Sequence, residues 1–233
     1  MNRTLNTLAL AAVLGLATAG PAQAAAVTFT KLTGTTGGAP ANTAVFKADL
    51  STVGLANILS VSITDNSFGL GGAGGQFSGF DLDAIKLSTT DCASAACASG
   101  LAGLSVFDFF SGIVFSPGVQ RAPADPKLFG TDAAGTGVDN AVATLGDFDG
   151  NSTTAIPGAG GFVSLGDGGA ISFNLTGAVS TAGLFLYIGE VGDNGELAAG
   201  NIVVRDTPVR VPVPASSLLA LLGLGALAAT RRR

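Results

Sequence analysis

Residues 161–175 read Gly161-Phe162-Val163-Ser164-Leu165-Gly166-Asp167-Gly168-Gly169-Ala170-Ile171-Ser172-Phe173-Asn174-Leu175. Two apolar runs flank a Gly/Asp cluster. The second run alternates strictly, with Ile171, Phe173 and Leu175 on one side and Ser172 and Asn174 on the other. Period-two alternation bounded by turn residues marks strands, and the pair predicts a hairpin with Ile171, Phe173 and Leu175 on the core. The same pattern recurs along the chain. Residues 27–32, 43–50, 57–64, 77–87, 104–109, 112–116, 138–145 and 201–205 are further strand candidates. Residues 183–189 are apolar throughout and predict a strand central in its sheet. No strong helix signal and no 20–50-residue repeat interrupts this body. The expected fold is all-β, a β-sandwich of jelly-roll type, with a barrel or a β-helix as the alternative.

Residues 77–87 form the longest candidate strand. Phe80 and Leu82 share one face and Asp81 and Asp83 the other, but Ile85 and Leu87 then take the parity of the aspartates. This change of phase predicts a bulge near Ala84 or burial on both faces. Asp81 and Asp83 lie about 7 Å apart as i, i+2 neighbours. That spacing suits a glycosidase carboxyl pair; the competing expectation is two acids on a solvent face. The 69–74 segment matches G-x-G-x-x-G by letter, but a strand pattern follows it where a dinucleotide fold needs a helix, so it reads as a glycine loop.

Composition narrows the function. The chain has 233 residues, no His, no Trp, one Tyr (Tyr187) and a net charge of −5. Without histidine, Ser-His-Asp and Cys-His catalysis is excluded and the usual catalytic zinc sites are disfavoured. The expectation is a protein that is not an enzyme, with no catalytic residues. Arg3 and Arg231 to Arg233 are four of the 11 basic residues; the remaining seven face 16 acids, a charge of −9 for the body. Such a body does not suit a nucleic-acid partner. Cys92 and Cys97 predict a small disulfide loop in an oxidising compartment.

Asp147-Phe148-Asp149-Gly150-Asn151-Ser152 is the stretch with metal-ligand character. Oxygen donors at alternate positions beside a turn glycine suit Ca²⁺, with Asp147, Asp149 and Asn151 as ligands. It resembles the Asp-x-Asp-Gly-Asn core of integrin-type calcium loops, but Ala155 stands where those carry another acid. Such a site needs ligands from elsewhere in the chain; otherwise the stretch is a plain turn. No other cofactor is expected.

Both ends carry address signals. Arg3, an apolar run over 8–19 and Ala22-Gln23-Ala24 read as a signal peptide spanning 1–24, with cleavage specified by Ala22 and Ala24. The body then covers 25–206, and 207–233 is a linker with a C-terminal signal. There Val211-Pro212-Val213-Pro214-Ala215 precedes an apolar run that ends at Thr230 and Arg231-Arg232-Arg233. As a helix, 215–230 would be about 24 Å long, short for a hydrocarbon core of about 30 Å but extended by snorkelling arginines. The arginines are expected on the cytoplasmic side. A plain membrane anchor is one reading. The order of motif, transmembrane span and Arg cluster also resembles the PEP-CTERM sorting domain of Gram-negative bacteria, in the variants with an apolar residue in place of the motif's Glu. The resemblance implies an exosortase as partner, a membrane-anchored intermediate, and delivery to the cell surface or the extracellular matrix, with exopolysaccharide or biofilm as the setting. A carbohydrate- or calcium-dependent binding module on a C-terminal anchor is the alternative.

Overall fold

The computed structural model describes residues 22–67, 73–152, 159–196 and 201–210. The 211–215 motif, the apolar run, the Arg cluster and most of the signal peptide lie outside these residues. Among the described residues no helix is long and apolar enough to cross a membrane.

Among the described residues ten strands form two five-stranded antiparallel sheets. They are β1 (Ala24–Ala26), β2 (Thr30–Thr36), β3 (Thr43–Asp49), β4 (Asn57–Thr64), β5 (Asp81–Ser88), β6 (Ile113–Ser116), β7 (Val163–Ser164), β8 (Ala170–Ser180), β9 (Phe185–Val191) and β10 (Asn201–Arg205). Sheet A has the order β1-β10-β4-β8-β6 and sheet B the order β2-β3-β9-β5-β7. Their inner faces meet in one core. Val61, Ile63, Ile171, Phe173 and Val204 come from sheet A, and Phe46, Leu82, Ile85, Leu186 and Ile188 from sheet B. The body is therefore an all-β sandwich, and β9 is central in its sheet as its unbroken apolar sequence predicts. β5 carries a register shift between Leu82 and Ile85, and all eight of its residues are buried, so the bulge and the two-sided burial both occur.

From β3 to β10 every successive strand lies in the other sheet. This corrects the predicted 161–175 hairpin: β7 belongs to sheet B and β8 to sheet A. Alternation specifies which side chains face the core, and both sheets face the same core, so the pattern cannot assign the sheet. The Gly166–Gly169 turn is instead a corner between layers. It packs backbone against backbone there: a Cβ on Gly79 would come within 2.4 Å of Gly166. Gly79 also has φ +74°, which ends the run at 77–80 and starts β5 at Asp81. The strand predicted from residue 77 is thus shortened, with a 3₁₀ turn over Gly75–Phe77.

Other expectations change for local reasons. The first predicted strand shifts to β2, while Val27 and Phe29 pack on the core. Residues 104–109 form turns, joined to the sheets by Leu104 N–H to the Leu87 carbonyl at 2.7 Å and Thr176 N–H to the Val106 carbonyl at 2.9 Å. Residues 138–145 contain a short helix, α2 (Asn140–Ala143), because Asp139 caps its first turn by accepting from Ala141 N–H. The longest strand is β8, with 11 residues.

The outer face of sheet B is covered by the Cys92–Cys97 loop, whose disulfide is formed as expected, and by α1 (Ala95–Ser99) within it. Tyr187 on β9 holds this cover. Its hydroxyl donates to the Thr90 carbonyl at 2.6 Å and accepts from Cys92 N–H at 2.9 Å. At the corner end of the sandwich, the buried carboxylate of Asp65 accepts from the amides of Phe80 at 3.0 Å and Gly168 at 2.9 Å, and from the Ser67 hydroxyl at 2.6 Å. It ties the β4–β5 crossing to the β7–β8 crossing. Hydrogen bonds to an ionised group each contribute roughly 1.5–3 kcal/mol, and buried donors left unpaired add their desolvation cost. Asp65→Ala should lower unfolding stability by about 4 kcal/mol, and Asp65→Asn, which keeps one acceptor oxygen, by about half of that, measured by denaturant titration.

Candidate functional site

The bulge in β5 decides where the sequence's acidic residues go. Leu82 and Ile85 face the core, so Asp83 and Ala84 both turn to the outer side of sheet B, where Ala84 joins the second apolar cluster. Asp83 is fully buried there, and Asp81 is 6 % exposed. The solvent-face expectation for this pair is revised, since both acids are buried.

Asp83 instead receives the Asp147–Asn151 loop. Its Oδ1 accepts from Gly150 N–H at 2.8 Å and Asp149 N–H at 3.2 Å. Burial pushes its carboxyl up to about 7, against the stabilising amides. Gly150 is needed for this approach, since a Cβ there would come within 2.6 Å of Val191 Cγ2 and 2.8 Å of Asp83 Cγ. Asp149 Oδ1 accepts from the Thr144 hydroxyl at 2.8 Å, and Asn151 pairs through its backbone with Gly160. Phe148 is buried under the ammonium of Lys86, which lies 5.1 Å from the ring centroid. Lys86 also donates to the carbonyls of Leu101 at 2.8 Å and Ser99 at 3.2 Å. The cation that faces Asp83, Asp147 and Asp149 is therefore the chain's own lysine. Among the described residues no three His, Cys, Asp or Glu side chains converge closely enough to hold a metal ion. Asp147, Asp149 and Asn151 gain Asp83 as a neighbour from elsewhere in the chain, but it meets the loop through backbone amides.

A second acidic cluster lies where β5, β9 and the 192–196 turn meet. Glu190 stands opposite Ala44 on one side and Leu82 on the other, both core residues, so it projects into the sandwich interior. It is 0 % exposed, and among the described residues neither carboxylate oxygen has a close hydrogen-bond partner, with the amides of Asp193 and Asn194 the nearest donors to act on it. Glu196 is 1 % exposed, with Oε2 also unpartnered. Arg121 reaches into this cluster from the 117–132 loop, with Nε 3.2 Å from Asp167 Oδ1 and Nη2 3.6 Å from Glu196 Oε1. Asp81 accepts from the Ser164 hydroxyl. Burial, reinforced by the charge of Glu196, raises Glu190 to about 8 and Asp81 well above its ordinary value. Burial raises Glu196 to about 7, with Asn194 and Arg121 opposing. One guanidinium thus faces several buried carboxyls, and protons supply part of the missing positive charge near neutral pH.

The sequence places Glu196 in a Gly/Asp/Asn turn over 192–196 with weak cation-binding character, and does not single out Glu190. A signal for Glu190 was present. Leu184, Leu186 and Ile188 lie on the core face of β9, and Glu190 continues their parity. The apolar run ends one residue before Glu190, so the run by itself does not mark it as buried. The expected disulfide pair, Cys92 and Cys97, is brought together; Ala22 and Ala24 sit at the start of the described chain, with Ala24 paired to Arg205 in β1. Three surface grooves, of about 270, 320 and 400 Å³, lie elsewhere, and neither Asp81, Asp83, Glu190 nor Glu196 lines any of them.

The buried acids set the pH dependence of folding. A carboxyl whose folded pKa is raised binds more protons in the folded than in the unfolded state between the two values. Its contribution is complete below about 4.5, the ordinary glutamate value, and is lost as pH rises through about 7 to 8. The melting temperature should fall by on the order of 10 °C between pH 5 and pH 8.5. Glu190→Gln should flatten that slope and melt above the wild type at pH 8.5, both read by scanning calorimetry.

Compared with protein-family models, with curated proteins and with solved structures, the chain matches none.

Proposed function

We propose that this chain is an exported, non-catalytic cell-surface or extracellular-matrix protein, sorted and processed by an exosortase through its C-terminal signal. The observation that carries the reading is the order of parts after β10: a short linker, Val211-Pro212-Val213-Pro214-Ala215, an apolar span and Arg231-Arg232-Arg233. In the proposed sequence of events, the signal peptide is removed after Ala24 and the apolar span holds the chain in the inner membrane of a Gram-negative cell. The exosortase then cuts near the Val-Pro-Val-Pro-Ala motif, and the body enters exopolysaccharide or biofilm.

Three features of the body support this reading. Its Cys92–Cys97 disulfide suits an oxidising compartment. Its buried carboxyls are engaged with their own chain or sealed in the interior, which does not suit a hydrolase that must bring a carboxyl pair to substrate. Its strand order also supports a jelly roll. Without the outermost strands β2 and β6, the sheets run β1-β10-β4-β8 and β3-β9-β5-β7, the interleaving of two Greek keys.

The second reading, a calcium-dependent binding module, is favoured by the unpartnered oxygens of Glu190 and Glu196. Anything that binds only the folded state stabilises it. On this reading 5 mM calcium raises the melting temperature at pH 8, where the acids are most ionised; an unchanged value ends it.

Processing is tested by the intact mass of the protein recovered from producing cells and their medium. The expected chain begins at Ala25 and ends near Pro214. A chain still ending at Arg233 in the membrane fraction would leave a plain anchor and overturn the sorting assignment.

A further inference from the structure

The linker that leads to the motif does not leave the sandwich freely. After Arg205, the last residue of β10, it turns back across the outer face of sheet A. Asp206 Oδ1 accepts from Gln23 N–H at 2.8 Å, and Asp206 N–H donates to the Gln23 carbonyl at 3.2 Å. The Ser60 hydroxyl donates to the Thr207 carbonyl at 2.8 Å. Asn174 then takes both backbone groups of Val209: its Nδ2 donates to the carbonyl at 3.0 Å, and its Oδ1 accepts from the amide at 2.7 Å.

These contacts form a track. Arg205, Ser60 and Asn174 stand side by side in the register of β10, β4 and β8. Val61 and Ile63 on β4, and Ile171 and Phe173 on β8, face the core, so Ser60, Ser62, Ser172 and Asn174 face outward. Ser60 is nonetheless fully buried, and Ser62 and Ser172 nearly so. The polar groups of this face are tied laterally as well: the Ser172 hydroxyl donates to Ser62 at 2.8 Å, and Arg205 Nη1 donates to Ser62 at 2.6 Å. Thr207 and Val209, two residues apart, meet neighbouring strands. Two residues of extended chain cover about 7 Å and adjacent strands lie about 4.8 Å apart, so alternate residues of a strap crossing at a slant can meet successive strands. Recognition is through backbone, and the Asn174 amide imitates the partner peptide of a sheet.

We infer that the outer face of sheet A is a docking track for the chain's own linker, residues 206–210, and that release of this strap from Ser60 and Asn174 limits any protease that cuts at 211–215. Proteases bind extended substrate through the backbone groups on both sides of the cut. Val209, with both of its backbone groups occupied by Asn174, is two residues from the first residue of the motif. Gln23 precedes the expected signal cleavage after Ala24, so in the exported chain the strap rests on Ser60 and Asn174. The part of this inference that concerns sorting rests on the processing reading above; the docking track does not.

The test uses the full chain, purified in detergent, and a broad-specificity protease, with cuts mapped by mass spectrometry. Cutting in the exposed 122–127 segment serves as the internal reference. When strap opening is fast, cutting follows the open population, so Asn174→Ala should raise the rate within 206–215 about tenfold, with the reference rate and melting curve unchanged. Asn174→Asp, which keeps the acceptor and loses the donor, should fall between, and Ser60→Ala should show a smaller increase. Equal rates in wild type and Asn174→Ala overturn the track. In producing cells, pulse–chase of the same variants reads processing. Faster removal of the tail from Asn174→Ala supports strap release as the limiting step. Equal processing despite a proteolysis difference overturns that step. No processing of either chain overturns the sorting reading and leaves the track standing on the proteolysis result.

Discussion

The carboxylate of Asp65 holds together two chain crossings that no hairpin could join. Because each strand from β4 to β10 lies in the sheet opposite its predecessor, the corners of this sandwich carry backbone that cannot pair as a ladder. Buried amides need partners, and a carboxylate with several lone pairs can serve more than one corner. Asp65 does so for Phe80 and Gly168. Its neighbours follow from that. Gly79 and Gly166 approach closer than any side chain allows, and β5 begins where this contact ends. The bulge of β5 then sends Asp83 outward, where it performs the same service for the amides of Asp149 and Gly150.

Two kinds of buried acid thus coexist. Asp65 and Asp83 each accept hydrogen bonds from backbone amides of distant segments. Glu190 and Glu196 are buried acids with oxygens that lack a close hydrogen-bond partner among the described residues, and Arg121 brings a compensating charge to Glu196. An ionised carboxyl in that position is costly, so the proton is retained well above the ordinary range. A protein exported to an environment of changing pH would carry a stability that responds to it. That consequence follows from where these acids are buried, whatever the body binds.

The two outer faces are covered by different means. Sheet B is capped by a disulfide loop held through Tyr187, the chain's one tyrosine. Sheet A presents serines and an asparagine, which suit an extended backbone rather than apolar side chains, and the chain's own linker occupies them. The body and the C-terminal motif are in this sense linked, with the last clamp and the 211–215 motif separated by a single residue, Arg210.

Residue pattern alone determined the all-β class, most strand positions, the β5 bulge and the disulfide, because each depends on neighbours within a few residues. β4 and β10 lie where alternation puts them, and the phase change at Ala84 needs no partner to be seen. The proposed address signals at the two ends are likewise read from local sequence, and they lie largely outside the described residues. What the tertiary structure alone decided is which sheet each strand joins, since one shared core makes the alternation of β7 and β8 the same in either layer. It decided the fate of the acids for the same reason. Asp-x-Asp-Gly-Asn reads as a turn with cation-ligand character, and only the fold brings Asp83, more than 60 residues earlier, onto its amides. Glu190 reads as the end of a strand until Ala44 and Leu82 close around it. Burial and partnership are set by contacts between distant segments, and those exist only once the two sheets have closed on each other.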